Sequence, residues 1–160
     1  MTNETLNELL VDEVKDIYDA EKQLVKALPK MAKACDSPDL AGCIQEHLGE
    51  TQNQVSRIET IFELFKAPAK GKPCKGMKGL LEEGTEAIQD EEKGPVRDLA
   101  IIAAAQRVEH YEISAYGTAR ALAEQVGNSR VAKLLLQTEN EEKMADTKLT
   151  EIAKLIFATN

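Results

Sequence analysis

Tryptophan is missing from this chain, and only three Tyr and three Phe occur among its 160 residues. With few aromatics and abundant Ala, Leu, Glu and Lys, the composition suits an all-helical protein. Positive charge is also scarce. The 20 Lys and Arg face 28 Asp and Glu, which leaves a net charge of -8. Such a surface repels phosphates and argues against nucleic acid as a partner, and it disfavours an acidic membrane surface for the same reason. Long apolar runs are absent. The longest, Leu99 to Ala105, is far too short to span a bilayer. The first residues show no basic, apolar, small-residue leader, so a cytoplasmic protein is the expectation. Cys35, Cys43 and Cys74 are widely spaced and form no CxxC pair. That disfavours a zinc site or a disulfide framework and fits a reducing compartment. No nucleophile–base pair, Gly-rich phosphate loop or basic aromatic patch points to a hydrolase, a nucleotide enzyme or a nucleic-acid binder.

What the chain does have is helical periodicity, in an amount that fits one domain spanning residues 1–160. A first helix is expected over about 4–33, with the stripe Leu6, Leu10, Val14, Ile17, Glu21, Leu24, Leu28 and Met31. Pro29 lacks a backbone donor and predicts a kink or an early end. Ser37 can cap a second helix over about 38–66, with Pro38 at its first position. The stripe there is Leu40, Ile44, His47, Thr51, Gln54, Ile58, Ile61 and Phe65, polar in its middle. A loop-like stretch from Ala67 leads into a short amphipathic helix over about 77–92. The whole connection is too long for a tight hairpin and reads as a crossover, with the helices on either side of it parallel. Gly94-Pro95 opens the next helix, about 95–125, and Gly127 stops it. Ser129 or Asn128 caps the last, about 129–157. So short a turn makes these two helices antiparallel.

Carboxylates interrupt the apolar stripes. Glu112 falls on the core line of its helix between Val108 and Ala115, and Glu109 lies beside it. Glu21 sits between Ile17 and Leu24, and Glu142 follows Thr138 and Leu135 with Glu139 one turn before it. His47 and Glu50 are likewise one turn apart. A carboxylate in an apolar core is costly unless it is paired or binds a cation. The two halves of the chain match when laid over each other: Ile17 falls on Val108, Glu21 on Glu112, His47 on Glu139 and Glu50 on Glu142. All lie near mid-helix, and in an antiparallel bundle such residues meet at one level.

That is the arrangement of a two-metal carboxylate centre, in which one Glu from each of two helices bridges and i, i+3 pairs on the other two complete the site. Glu21 and Glu112 would bridge; His47 with Glu50, and Glu139 with Glu142, would flank. Glu109 could replace or join Glu112. Carboxylates with one imidazole suit two iron ions, or manganese, better than soft-ligand metals. His110 points about 100° away from the stripe and is a poor ligand. Three functions fit: a dimetal oxidase or peroxide-consuming protein, a non-catalytic metal binder, and a structural or interaction protein that uses no metal.

Four motifs together resemble the YciF/YciE stress-protein family of bacteria: Tyr18-Asp-Ala-Glu-Lys-Gln-Leu24, His47-Leu-Gly-Glu-Thr-Gln52, Val108-Glu-His-Tyr-Glu-Ile-Ser-Ala-Tyr-Gly117 and Glu139-Asn-Glu-Glu142. The resemblance covers nearly the whole chain. It implies a ferritin-like antiparallel four-helix bundle with a long crossover carrying a short extra helix, a homodimer, and a stress context. It supplies no reaction. Dioxygen or peroxide are the small substrates that the dimetal reading would take.

Overall fold

The computed structural model describes residues 2–158, and its five helices are α1 (Asn3–Ala34), α2 (Pro38–Leu64), α3 (Lys75–Asp90), α4 (Pro95–Gln125) and α5 (Ser129–Ala158). No strand occurs among the described residues. Local chemistry sets the helix starts. The Thr2 hydroxyl accepts from the Thr5 amide in a capping box, and Ser37 accepts from Leu40 with Pro38 in the first turn. Asn128, rather than Ser129, accepts from the Val131 amide and caps α5. Gly127 stands at a φ of 77°, the left-handed stop that lets α4 and α5 turn back on each other.

The early end expected at Pro29 does not occur. α1 continues through it to Ala34, and Leu28, Met31 and Ala32 around it are buried. Packing on both sides of the proline outweighs the one missing backbone bond. The crossover helix begins at Lys75, two residues before its expected start, because the Cys74 sulfur accepts from the Met77 amide.

The four long helices close a ring of contacts, α1 on α2, α2 on α5, α5 on α4 and α4 on α1, while α3 lies over α1 and α4. Asp98 near the start of α4 accepts from the backbone of Asp36 and Ser37, 2.8 and 2.7 Å away, at the α1–α2 corner. Helices α2 and α4 therefore start at the same end. The crossover is fastened to α1: Asp19 accepts from the Cys74 amide at 2.8 Å, and Gln23 donates to the Cys74 carbonyl at 3.0 Å.

Two apolar clusters fill the interior, one around Leu24, Leu28, Ile44, Ile101 and Leu149, the other around Leu10, Ile17, Ile58, Phe62 and Leu135. Between them lies a polar layer of Glu21, His47, Thr51, Gln54, Glu109, Glu112, Thr138 and Glu142, all buried. Every long helix contributes to it at mid-length. No described helix is long and apolar enough to cross a membrane.

Candidate metal centre

Four donors meet inside the polar layer. One ligand atom each from His47 of α2, Glu109 and Glu112 of α4, and Glu142 of α5 lie within 4.8 Å of one another. His47 Nε2 stands 3.4 Å from Glu109 Oε1 and 3.7 Å from Glu142 Oε2. Glu109 and Glu112 share one face of α4 because i, i+3 residues are neighbours on a helix. Glu21 of α1 joins the layer from the side, its Oε1 accepting a short hydrogen bond from the Tyr116 hydroxyl.

The tethering of these side chains follows one pattern. With its proton on Nδ1, His47 donates to Glu50 Oε2 at 3.3 Å, which leaves Nε2 free. Gln54 donates a short hydrogen bond to Glu142 Oε1 and leaves Oε2 without a partner. Tyr116 ties Glu21 Oε1 and leaves Oε2. Glu109 Oε2 and both oxygens of Glu112 have no hydrogen-bond partner at all. Buried polar atoms are almost always satisfied. A convergent set of unsatisfied acceptors, with His47, Glu142 and Glu21 each held by a hydrogen bond at their other atom, is the arrangement a cation would complete.

The electrostatics agree. Burial first, and then the Glu142 carboxylate, push Glu21 well above the usual carboxylate range, against the pull of the Tyr116 hydrogen bond. Burial followed by Glu142 does the same for Glu109. Glu112 is raised by burial and then by Glu21, Glu142 and Glu109. Glu142 is raised by burial, although Glu109, His47 and Gln54 hold it back. Tyr116 is raised by burial and by the Glu21 and Glu112 carboxylates, so it remains a proton donor.

Three candidates from the sequence are not in the four-donor set: Glu21, which joins the layer beside it, Glu139 and Glu50. The Glu139 carboxylate lies between Arg120 Nε at 2.7 Å and Lys143 Nζ at 2.6 Å. It is turned away from the layer by cations whose reach the spacing did not show. Glu50 is partly exposed and touches the centre only through His47, where it orients a ligand. His110 is exposed and pairs with Asp146 at 3.3 Å.

Sequence reasoning missed the support behind Glu142. Arg57 grips Glu141 with two parallel bonds of 2.8 and 2.9 Å, and Glu141 Oε2 accepts from Gln54 at 3.1 Å. The signal was present in Gln54, a polar residue on a buried stripe. Cys35, Cys43 and Cys74 are free, and none belongs to the donor set.

Residues 5–160 match the family described as Domain of unknown function (DUF892). Protein YciF of Escherichia coli K12 is 46% identical over 154 residues, 96% of this chain and 93% of its own. The crystal structure of that stress protein matches with a TM-score of 0.93 at 44% identity, covering 97% of this chain and 98% of the other. YcfI from Rhodopseudomonas palustris matches with a TM-score of 0.89 at 41% identity, covering 91% and 92%. A Xanthomonas campestris protein at 22% identity, with a TM-score of 0.73 over 96% and 94% of the two chains, shares the fold.

Proposed function

Since the chain belongs to the DUF892 family, we propose that it is a ferritin-like four-helix bundle protein with a dimetal carboxylate centre, most simply di-iron, that serves in a stress response by consuming dioxygen or peroxide. The stress context comes from the E. coli relative, which is described as a stress protein. The observation that carries the reading is the set of buried, unpartnered ligand atoms on His47, Glu109, Glu112, Glu142 and Glu21. Hard oxygen donors with a single imidazole favour iron or manganese.

In this reading His47 Nε2, Glu109 Oε2, Glu142 Oε2, Glu21 Oε2 and either oxygen of Glu112 would hold the metal. Glu50 holds the imidazole tautomer, and Gln54 sets the rotation of Glu142. When bound, reduced iron supplies the electrons that dioxygen or peroxide accepts. The chain's part is to give up the protons its raised carboxylates hold as metal enters, and to keep the layer closed to bulk water. Tyr116 keeps its proton at Glu21 Oε1 and fixes that side chain.

A second reading is a structural or interaction protein without turnover. It is favoured by the diversion of Glu139 to Arg120 and Lys143, and the YcfI relative is described, provisionally, as structural. Elemental analysis after anaerobic reconstitution with ferrous iron separates the two. About two ions per chain are expected for a dimetal bundle; a small fraction of one ion sinks the proposal. The homodimer is part of the same reading, with the exposed Met144 and Phe157 among the apolar side chains a partner would cover. A monomer in sedimentation equilibrium removes that part alone.

A further inference from the structure

The crossover helix α3 packs more closely on α4 than on α1. Gly84 is buried, and a Cβ there would stand 3.6 Å from the Ala104 Cβ. On its other flank α3 leaves an open groove against α1, with Ala27 and Met31 on one bank and Leu81 and Ile88 on the other. Leu81 and Ile88 are two turns apart, about 10 Å along the helix.

Charge in this groove runs against that of the chain. The protein carries a net charge of -8, yet Lys26 and Lys30 line the groove and no acid does. From Lys22 to Ala34, α1 has four lysines and neither Asp nor Glu. The acids of α3, Glu82, Glu83, Glu86 and Asp90, are exposed and are turned about 100–200° around the helix from Leu81. Lys26 and Lys30 are i, i+4 neighbours, and neither has an ion pair or hydrogen bond among the described residues. Their ammonium groups are free for an anion, while their stems can lie along apolar surface.

The walls narrow the occupant. Met31 is buried, and Ala27, Leu81 and Ile88 are partly buried; large exposed apolar side chains such as Met144 and Phe157 lie outside the groove. Docking a partner protein or a bilayer calls for protruding apolar anchors. A single acyl chain needs only recessed walls and a few placed polar groups. We propose that the α1–α3 groove binds a free medium-chain fatty acid, its acyl chain between the two apolar banks and its carboxylate at Lys26 and Lys30. The groove shares no residue with the polar layer, so the site stands or falls apart from the metal reading.

Calorimetric titration of the full chain with decanoate, below its micelle range, should show a single saturable site, and amide NMR shifts should centre on Ala27, Leu81 and Ile88. Decyltrimethylammonium, with the same chain and the opposite charge, should not compete. The double variant Lys26→Glu, Lys30→Glu should bind decanoate about tenfold or more weakly, the scale of a lost charge-assisted hydrogen bond, and should prefer the cationic amphiphile. Thr85→Trp, placed at an exposed position on the rim, should block both ligands without lowering the melting temperature. No saturable binding, equal binding of both amphiphiles by the native chain, unchanged affinity in the lysine variant, or shifts centred on Met144 and Phe157 overturns the inference. So do concentration-dependent shifts at Leu81 and Ile88 without ligand, which would give the groove to a second copy. Shifts there with phosphatidylglycerol vesicles but not with decanoate would give it to a membrane surface and overturn it as well.

Discussion

Two sets of carboxylates lie close together at the middle of the bundle and behave in opposite ways. Glu21, Glu109, Glu112 and Glu142 point into the polar layer, and their affinity for protons is raised. Glu50, Glu139 and Glu141 sit around them and are held below the ordinary range. Burial alone does not divide the sets, because Glu139 is 5% exposed and Glu109 is 3% exposed. Cations do. Burial pushes Glu139 upward, yet the hydrogen bonds from Lys143 and Arg120 overcome it. Burial likewise raises Glu141, and Arg57 and Gln54 reverse that. Arg120, Lys143 and Arg57 hydrogen-bond Glu139 and Glu141 of the outer set, and among the described residues no Lys or Arg hydrogen-bonds the inner one. An inner set left without a cation by the fold is a set available to one from solution.

The sharpest way to break this contrast is to exchange the two sets. Glu112→Ala is expected to abolish metal uptake, and Glu139→Ala to leave it intact, as read by elemental analysis after reconstitution. Comparable losses in both variants would put Glu139 back among the ligands and end the distinction. Glu50 tests the boundary between the sets. Replacing it by Ala removes the group behind a ligating imidazole, and such losses weaken metal affinity by about 10–100-fold. Isothermal titration with Mn(II) would show that loss; unchanged affinity would mean that Glu50 does not orient His47.

In metal-free protein the effect of Glu112 should change sign. Its two oxygens are buried without partners, and an unsatisfied buried group costs about 1–3 kcal/mol. Glu112→Leu is therefore expected to stabilise the metal-free fold by about that amount in urea unfolding, whereas Arg57→Ala, which strips Glu141 of its bidentate partner, should destabilise it. Stabilisation by both would show that the outer pairs are no better satisfied than the inner acids.

The pH response separates the sets by sign. A raised folded value means that the native state holds more protons than the unfolded chain. The inner contribution is then fully present below the ordinary value of 4.5 and is lost as pH climbs through the raised values. A lowered folded value does the reverse, so the outer contribution is present above 4.5 and is lost as pH falls through the lowered values. Metal-free protein should thus lose stability on both sides of mildly acid pH. Glu112→Gln should flatten the alkaline limb, and Arg57→Ala the acid one. Metal loading should reverse the alkaline limb, because ligands must be deprotonated to bind. Parallel profiles for the metal-free and loaded forms would show the inner acids to be solvated. The smallest change is expected for Lys143→Ala. That lysine is half exposed, and such pairs contribute about 0.2–1 kcal/mol; a larger loss in thermal unfolding would mark Lys143 as essential to holding Glu139 outward.

By itself the sequence determined the helices, because a period of 3.6 in apolar residues, Ser37 with Pro38, and Gly127 each act over a few residues of chain. It also determined that His47, Glu21, Glu112 and Glu142 are buried, since each lies on a stripe whose neighbours one turn away are apolar or small. Tertiary structure alone decided between Glu109 and Glu139. Each lies three residues before another acid on its helix, and at 100° per residue such a pair straddles the core line by a few tens of degrees. Which members turn inward depends on the rotation of each helix against its neighbours. α4 carries small or apolar residues on several sides, Ala104, Ala105, Ala119 and Ala123 among them, so its own pattern left that rotation open. On α5 the choice lay with Arg120 of the facing helix, whose guanidinium reaches Glu139 only once the two helices are packed.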